Sequence, residues 1–152
     1  MFKSRLFNTG SGIFLLRLFV GVRLIYGTID NILDWDRMKE FESFLASQGF
    51  IVPLISAVVS VYAQFICGIL ILIGWKIRWA GIIMTINFLV ASYIELPRGF
   101  ELMTPALAIF FSSLVFFFEG AGRYSIDQGR NRGIKVLGSR FKVQGTSRTA
   151  SL

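Results

Sequence analysis

Four long apolar stretches, separated by short polar segments, make up most of this chain. The clearest runs from Leu54 to Trp75 without one charged side chain. At about 1.5 Å per helical residue it reaches roughly 33 Å, which is the thickness of a bilayer core. Comparable stretches occupy residues 12–33, 79–95 and 102–119. The pattern predicts an all-α polytopic membrane protein, a bundle of four transmembrane helices.

The segment between the first and second spans has a different pattern. Residues 34–53 are rich in charge, and their apolar residues recur every three or four positions, at Trp35, Met38, Phe41 and Leu45. Asp34 precedes this run and can cap a helix. We therefore expect a short amphipathic helix lying on the membrane surface. In the last span, Pro105 is expected to fall in the first turn, where a missing N–H costs little.

Basic residues are distributed unevenly around the four spans. One side of the predicted bundle carries eleven of them: Lys3, Arg5, Lys76, Arg78, Arg123, Arg130, Arg132, Lys135, Arg140, Lys142 and Arg148. The other side carries three, namely Arg37, Lys39 and Arg98. The positive-inside rule then predicts that both termini are cytoplasmic in a bacterial inner membrane. We divide the chain into an N-terminal segment (1–11), a transmembrane domain (12–130) and a basic, flexible cytoplasmic tail (131–152).

Composition agrees with this assignment and excludes several classes of function. Hydrophobic residues make up 54% of the chain and charged residues 16%, against about 25% charged in soluble domains. The net charge of +7 does not indicate nucleic-acid binding, because most basic residues flank spans or lie in the tail; the bilayer surface is the expected partner. Cys67 is the single cysteine and histidine is absent, so we expect no disulfide, haem or metal site.

Strongly polar residues recur near the middle of the spans. Arg23, Gln64 and Asn87 fall close to the midpoints of the first three helices, and Ser112 lies near that of the fourth. Such residues normally face the bundle interior. They form a hydrogen-bonded plug that fixes helix register, or line a small site in which Arg23 meets an anion or a carbonyl oxygen while the amides orient it. The remaining alternative is that one of them faces lipid or is misplaced by this depth count.

Two further charged residues lie in the first helix. Arg17 is close enough to its start to extend to the interface. Asp30 shares a face with Arg23 and Gly27, which makes these residues a candidate polar pathway, although Asp30 near the helix end is equally consistent with simple solvation. The sequence contains no self-contained catalytic motif, so we assign no catalytic residue.

Several motifs in chain order resemble the DoxX family of small bacterial membrane proteins. These are Leu15-Leu-Arg17-Leu-Phe-Val-Gly21, Tyr26-Gly27, Gln64-x3-Gly68-x5-Gly74-x3-Arg78 and Gly120-Ala-Gly122-Arg123-Tyr-Ser-Ile-Asp127. The resemblance covers residues 12–127. It implies a four-helix membrane protein related to a subunit of thiosulfate:quinone oxidoreductase, in a family whose members are proposed to work beside redox enzymes. Gln64 stands where members usually have an acidic residue and Asp30 where many have lysine, so the resemblance does not extend to carboxylate-dependent chemistry.

The resemblance and the polar midplane together favour a quinone-linked or redox-associated membrane subunit that binds a small lipophilic ligand, with quinone as the candidate cofactor. A soluble or membrane redox enzyme, or a second copy of the chain, is the candidate protein partner. The alternative is a non-catalytic carrier for a small solute, or a scaffold that holds a soluble enzyme at the membrane.

Overall fold

The computed structural model of the protein describes residues 9–120 and 122, which form helices joined by short turns. Their order is α1 (Thr9–Leu33), α2 (Trp35–Ser47), α3 (Pro53–Ile73), α4 (Ile77–Glu95), a 3-10 turn (Leu96–Arg98) and α5 (Phe100–Glu119). Within the described part of the chain, α1, α3, α4 and α5 are each long and apolar enough to cross a membrane. The predicted all-α, four-span fold is confirmed.

The amphipathic helix between the first two spans is α2. It begins after Asp34, whose carboxylate accepts a hydrogen bond from the backbone N–H two residues further on at 3.0 Å. Met38 and Leu45 are buried on its apolar face and form a small cluster with Ala57 and Val61 of α3. The expected cap and the expected apolar face are therefore both present.

The spans pack as two close pairs, α1 with α3 and α4 with α5, while α1 and α5 touch only lightly. Glycines lie at both close crossings. A Cβ atom on Gly21 would lie 3.0 Å from the carbonyl oxygen of Gly68, and one on Gly81 would lie 2.9 Å from that of Ser113. The missing side chains let the helix backbones approach closely, as is common between membrane helices.

Arg17 is buried between the paired helices, so the expectation that it extends to the interface is wrong. Its side chain is 2% exposed. Its Nε donates to the carbonyl of Ile71 at 2.9 Å, and its Nη2 donates to that of Leu72 at 3.0 Å. The last carbonyls of a helix have no partner within the helix and carry partial negative charge. Arg17 satisfies two of them at the end of α3.

The start of α5 differs from the expectation for Pro105. Gly99 has φ +111°, and α5 begins directly after it at Phe100. Pro105 consequently lies inside the helix rather than in its first turn. Because proline has no N–H, the carbonyl of Glu101 lacks its usual helical donor.

Candidate functional site

A cavity of about 580 Å³ lies in the half of the bundle that carries α2. Its walls come from the second halves of α1 and α4, the first halves of α3 and α5, and the inner face of α2. Pro105 lies in the α5 wall, and three phenylalanines, Phe41, Phe44 and Phe50, line the cavity on the α2 side. The volume falls in the range of about 300–1,000 Å³ that is usual for small-molecule sites.

Three polar side chains form a hydrogen-bonded group at the mid-depth end of the cavity, which we call the amide cluster: Ser60, Gln64 and Asn87. The Nε2 group of Gln64 donates to Ser60 Oγ at 3.1 Å and to Asn87 Oδ1 at 3.4 Å. Nδ2 of Asn87 donates to the same hydroxyl oxygen at 3.1 Å. The cluster links α3 to the neighbouring helix α4, and both helices line the cavity.

Arg23 lines the cavity but does not join the amide cluster. Among the described residues, neither a hydrogen bond nor an ion pair reaches its guanidinium group. The side chain extends along α1 over Gly27, where a Cβ atom would lie 2.5 Å from Nη1 of Arg23. Asn31 follows one turn further along the same face and also lines the cavity. Arg23, Gly27 and Asn31 thus form a polar strip down the α1 wall.

The other charged group in the described walls is Glu95, near the α4–α5 turn. Both of its carboxylate oxygens accept hydrogen bonds from Nη1 of Arg98, at 2.9 and 3.0 Å. The guanidinium of Arg98 also lies over the ring of Phe44, 5.3 Å from its centroid. This contact connects the α4–α5 turn with α2 beside two residues that line the cavity, Phe44 and Glu95.

Two predicted site residues lie outside the cavity walls. Asp30 is exposed on α1, and its neighbour Asn31 takes the position facing the cavity. Ser112 donates to the carbonyl of Ala108 in its own helix at 2.7 Å. The structure therefore brings Gln64 and Asn87 into contact and places Arg23 beside the same cavity, but it leaves Asp30 and Ser112 apart from them.

Sequence reasoning missed Ser60 as the centre of the amide cluster. The spacing in the sequence could have indicated it, because Ser60 lies one helical turn before Gln64 and therefore on the same helix face. Cys67, by contrast, is buried in the apolar core and does not line the cavity. Within the described residues no three His, Cys, Asp or Glu side chains group closely enough to hold a metal ion.

The motif residues lie mostly in the opposite half of the bundle. Gly21 and Gly68 form the α1–α3 crossing, and Gly74, with φ +77°, ends α3 in a left-handed conformation. Gly120 lies beside Arg78, whose Nε would be 3.3 Å from a Cβ atom at that glycine. Gly122 lies against Ile13 near the start of α1, which returns the chain to its first span. Arg123 and Asp127 lie outside the described residues.

The fold and the cavity define a multi-pass membrane protein, a bundle of four apolar spans with one short amphipathic helix and a partly polar internal cavity. The sequence model of the DoxX family matches residues 12–95. That match covers more than half of the chain, so the protein belongs to the DoxX family. Comparison with curated proteins finds no match, and comparison with solved structures finds none either.

Proposed function

We propose that the protein binds a small lipophilic ligand in the α2-side cavity and acts as a quinone-linked or redox-associated subunit of the bacterial cytoplasmic membrane, with both termini inside. The observation that carries the proposal is the pairing, in one cavity, of apolar aromatic walls with polar groups that still have hydrogen-bonding capacity. Polar groups that only fixed helix register would be bonded to one another, as the amide cluster is, whereas the guanidinium of Arg23 has no such partner among the described residues.

The cavity walls fit a flat ring with oxygen substituents. Arg23 has donor nitrogens available for a carbonyl oxygen, and no hydrogen bond from a described residue reaches Oε1 of Gln64, which is available to a hydroxyl donor. A quinone presents carbonyl acceptors, and its reduced form presents hydroxyl donors. The three phenylalanines offer ring faces and apolar surface to the remainder of such a ligand. In this role the chain holds and orients the ligand while a partner enzyme supplies electrons.

Binding of a short-chain quinone to the purified full chain in nanodiscs tests the proposal. The double variant Gln64→Leu/Asn87→Leu removes both amides together, so neither is left without the other. The Ser60 hydroxyl loses both partners but can donate to a carbonyl of its own helix one turn back. We expect it to stay folded by thermal unfolding and to bind the quinone at least tenfold more weakly. The control is Ser112→Ala, which changes a hydroxyl at similar depth outside the cavity and should leave the quinone affinity unchanged.

Two results would contradict the proposal. If the unaltered protein does not bind the quinone, the quinone-linked role fails. If the double variant binds it as well as the unaltered protein, the ligand does not occupy this cavity. Proteoliposomes that accumulate a small solute without binding quinone would instead support the carrier alternative, and a soluble enzyme retained through the tail would support a scaffold.

A further inference from the structure

The charge balance of the cavity carries one inference beyond a lipophilic ligand. Of the charged side chains in the described walls, Glu95 is already neutralised, because both of its oxygens are bound to Arg98. Arg23 has no such partner among the described residues. The described cavity walls therefore carry one uncompensated positive charge.

The depth of Arg23 makes that charge significant. Arg23 lies near the middle of α1, which spans Thr9–Leu33, and shares the cavity with the mid-depth amide cluster. An arginine at the centre of a membrane helix is costly unless it is paired or solvated, and such residues mark sites for ligands or ions. Arginine is also the side chain best suited to bind carboxylate or phosphate oxygens, since its planar guanidinium can donate two parallel hydrogen bonds.

Gly27 leaves open the space in which this charge lies. The guanidinium of Arg23 occupies the space above Gly27 that any larger residue would fill, because a Cβ atom there would approach Nη1 to 2.5 Å. Gly27 lies within α1 and has an ordinary helical backbone, so its conformation alone does not require glycine. A larger residue at this position would instead move the guanidinium of Arg23, which is the end of a flexible side chain.

We infer that the cavity prefers an amphiphile with an anionic head, either a carboxylate or a phosphate, and an apolar tail. Arg23 binds the head, and Gly27 positions Arg23. The tail lies along the aromatic and aliphatic walls on the α2 side. This inference rests on the proposed function only in requiring that the cavity holds a lipophilic ligand, and it names a preferred ligand class with a charged head in place of the neutral head of a quinone.

A matched pair of probes tests the inference. Dodecanoate and dodecanol share a tail and differ in the charge of the head. Binding of each to the full chain is measured by titration calorimetry in nanodiscs of zwitterionic lipid at pH 8, where the carboxylate is ionised. We expect dodecanoate to bind at least tenfold more tightly than dodecanol. Arg23→Gln should abolish the difference, whereas Arg37→Gln, which alters an exposed arginine outside the cavity, should preserve it.

Gly27→Ala separates positioning from folding. The added methyl group displaces the guanidinium but removes no charge and no hydrogen bond. We expect the preference for dodecanoate to fall at least several-fold, while dodecanol affinity stays the same and the thermal unfolding temperature stays the same or rises, because alanine favours helix over glycine. A purely structural role for Gly27 would instead lower the unfolding temperature and weaken both probes equally.

The outcomes distinguish this inference from the proposed function. Equal binding of both probes, or an unchanged preference in Arg23→Gln, overturns the anionic head while quinone binding still stands. If the protein binds none of dodecanoate, dodecanol and quinone, both the anionic-head inference and the proposed function are overturned. Repeating the dodecanoate titration in nanodiscs that contain an anionic phospholipid identifies the source of the anionic head. Weaker dodecanoate binding there means that the phospholipid competes for the cavity and is itself the ligand. Unchanged dodecanoate binding indicates a free fatty anion.

Discussion

Two arginines six residues apart on α1 have opposite environments. Arg17 is 2% exposed and donates to the terminal carbonyls of α3. Arg23 is exposed, lines the cavity and has no partner among the described residues. Arg17 thus connects two helices, and Arg23 is available to a ligand. Residue type alone did not separate these roles, because each depends on what the neighbouring helices place opposite the side chain.

The role of Arg17 predicts a loss of stability on substitution. Arg17→Leu leaves the carbonyls of Ile71 and Leu72 without their donors in an apolar setting. We expect the free energy of unfolding in detergent to fall by about 1–3 kcal/mol, the usual cost of an unsatisfied buried group. Arg37→Leu serves as the control, since its exposed pair with Glu40 should contribute about 1 kcal/mol or less. Equal effects of the two substitutions would contradict a bonding role for Arg17.

The sequence predicts the depth of the candidate-site residues but not which of them face the cavity. Depth follows from counting residues along a span, so Arg23, Gln64 and Asn87 could be placed near one level from the sequence. Facing direction is less certain, because one residue turns a helix by about 100°. That single step separates Asn31, which lines the cavity, from Asp30, which does not. The bridging role of Ser60 depends on the α3–α4 contact, which no local pattern specifies.

At the scale of helices, the two close pairs depend on glycines that differ in how well they tolerate a larger side chain. The atoms nearest a Cβ on Gly21 belong mainly to the flexible side chain of Leu72, which can move aside. Those nearest a Cβ on Gly81 are backbone atoms of α5, at 2.9 Å from Ser113 O and 3.0 Å from Phe117 N. A methyl group at Gly81 therefore requires the helices themselves to separate.

Gly81→Ala is accordingly expected to destabilise the protein by about 1–3 kcal/mol, the typical cost of overpacking. Gly12→Ala is the matched control. Nothing lies within 4 Å of a Cβ at Gly12, and alanine favours helix by up to about 1 kcal/mol over glycine, so this variant should be neutral or more stable. Thermal unfolding of both variants in the same detergent gives the comparison. An unaffected Gly81→Ala would mean that α4 and α5 do not cross at this distance.

The helices were more predictable from the sequence than the site. A span must be apolar over the full bilayer thickness, and α2 must present one apolar face, so both leave a strong periodic signal. The position of Pro105 was mispredicted because the start of α5 is set by the positive φ of Gly99, and an expectation based on hydrophobicity begins the helix later.

For the molecule as a whole, four spans in the described residues would bring the start of α1 and the end of α5 to the same side of the membrane. The eleven-to-three distribution of basic residues predicts that this side is the cytoplasm. A reporter that works only in the cytoplasm should be active when fused after Leu152. Inserted at Gly49, after the end of α2, it should be silent. The reverse pattern would invert the orientation, and activity at both positions would contradict the even number of spans.

The contact between Arg98 and Phe44 has a consequence for how fast a ligand comes and goes. α2 packs mainly on α3 and α1, and Arg98 links its far side to the α4–α5 turn. A cation over an aromatic ring contributes only about 0.5–1 kcal/mol where it is accessible to solvent. Brief separation there would admit a ligand without parting either close helix pair. The double variant Glu95→Gln/Arg98→Gln removes the ion pair as a whole, so the net charge of the cavity walls stays the same. We expect it to shorten the residence time of bound probe in stopped-flow release several-fold and to speed its uptake to a similar extent, so that the equilibrium affinity changes little.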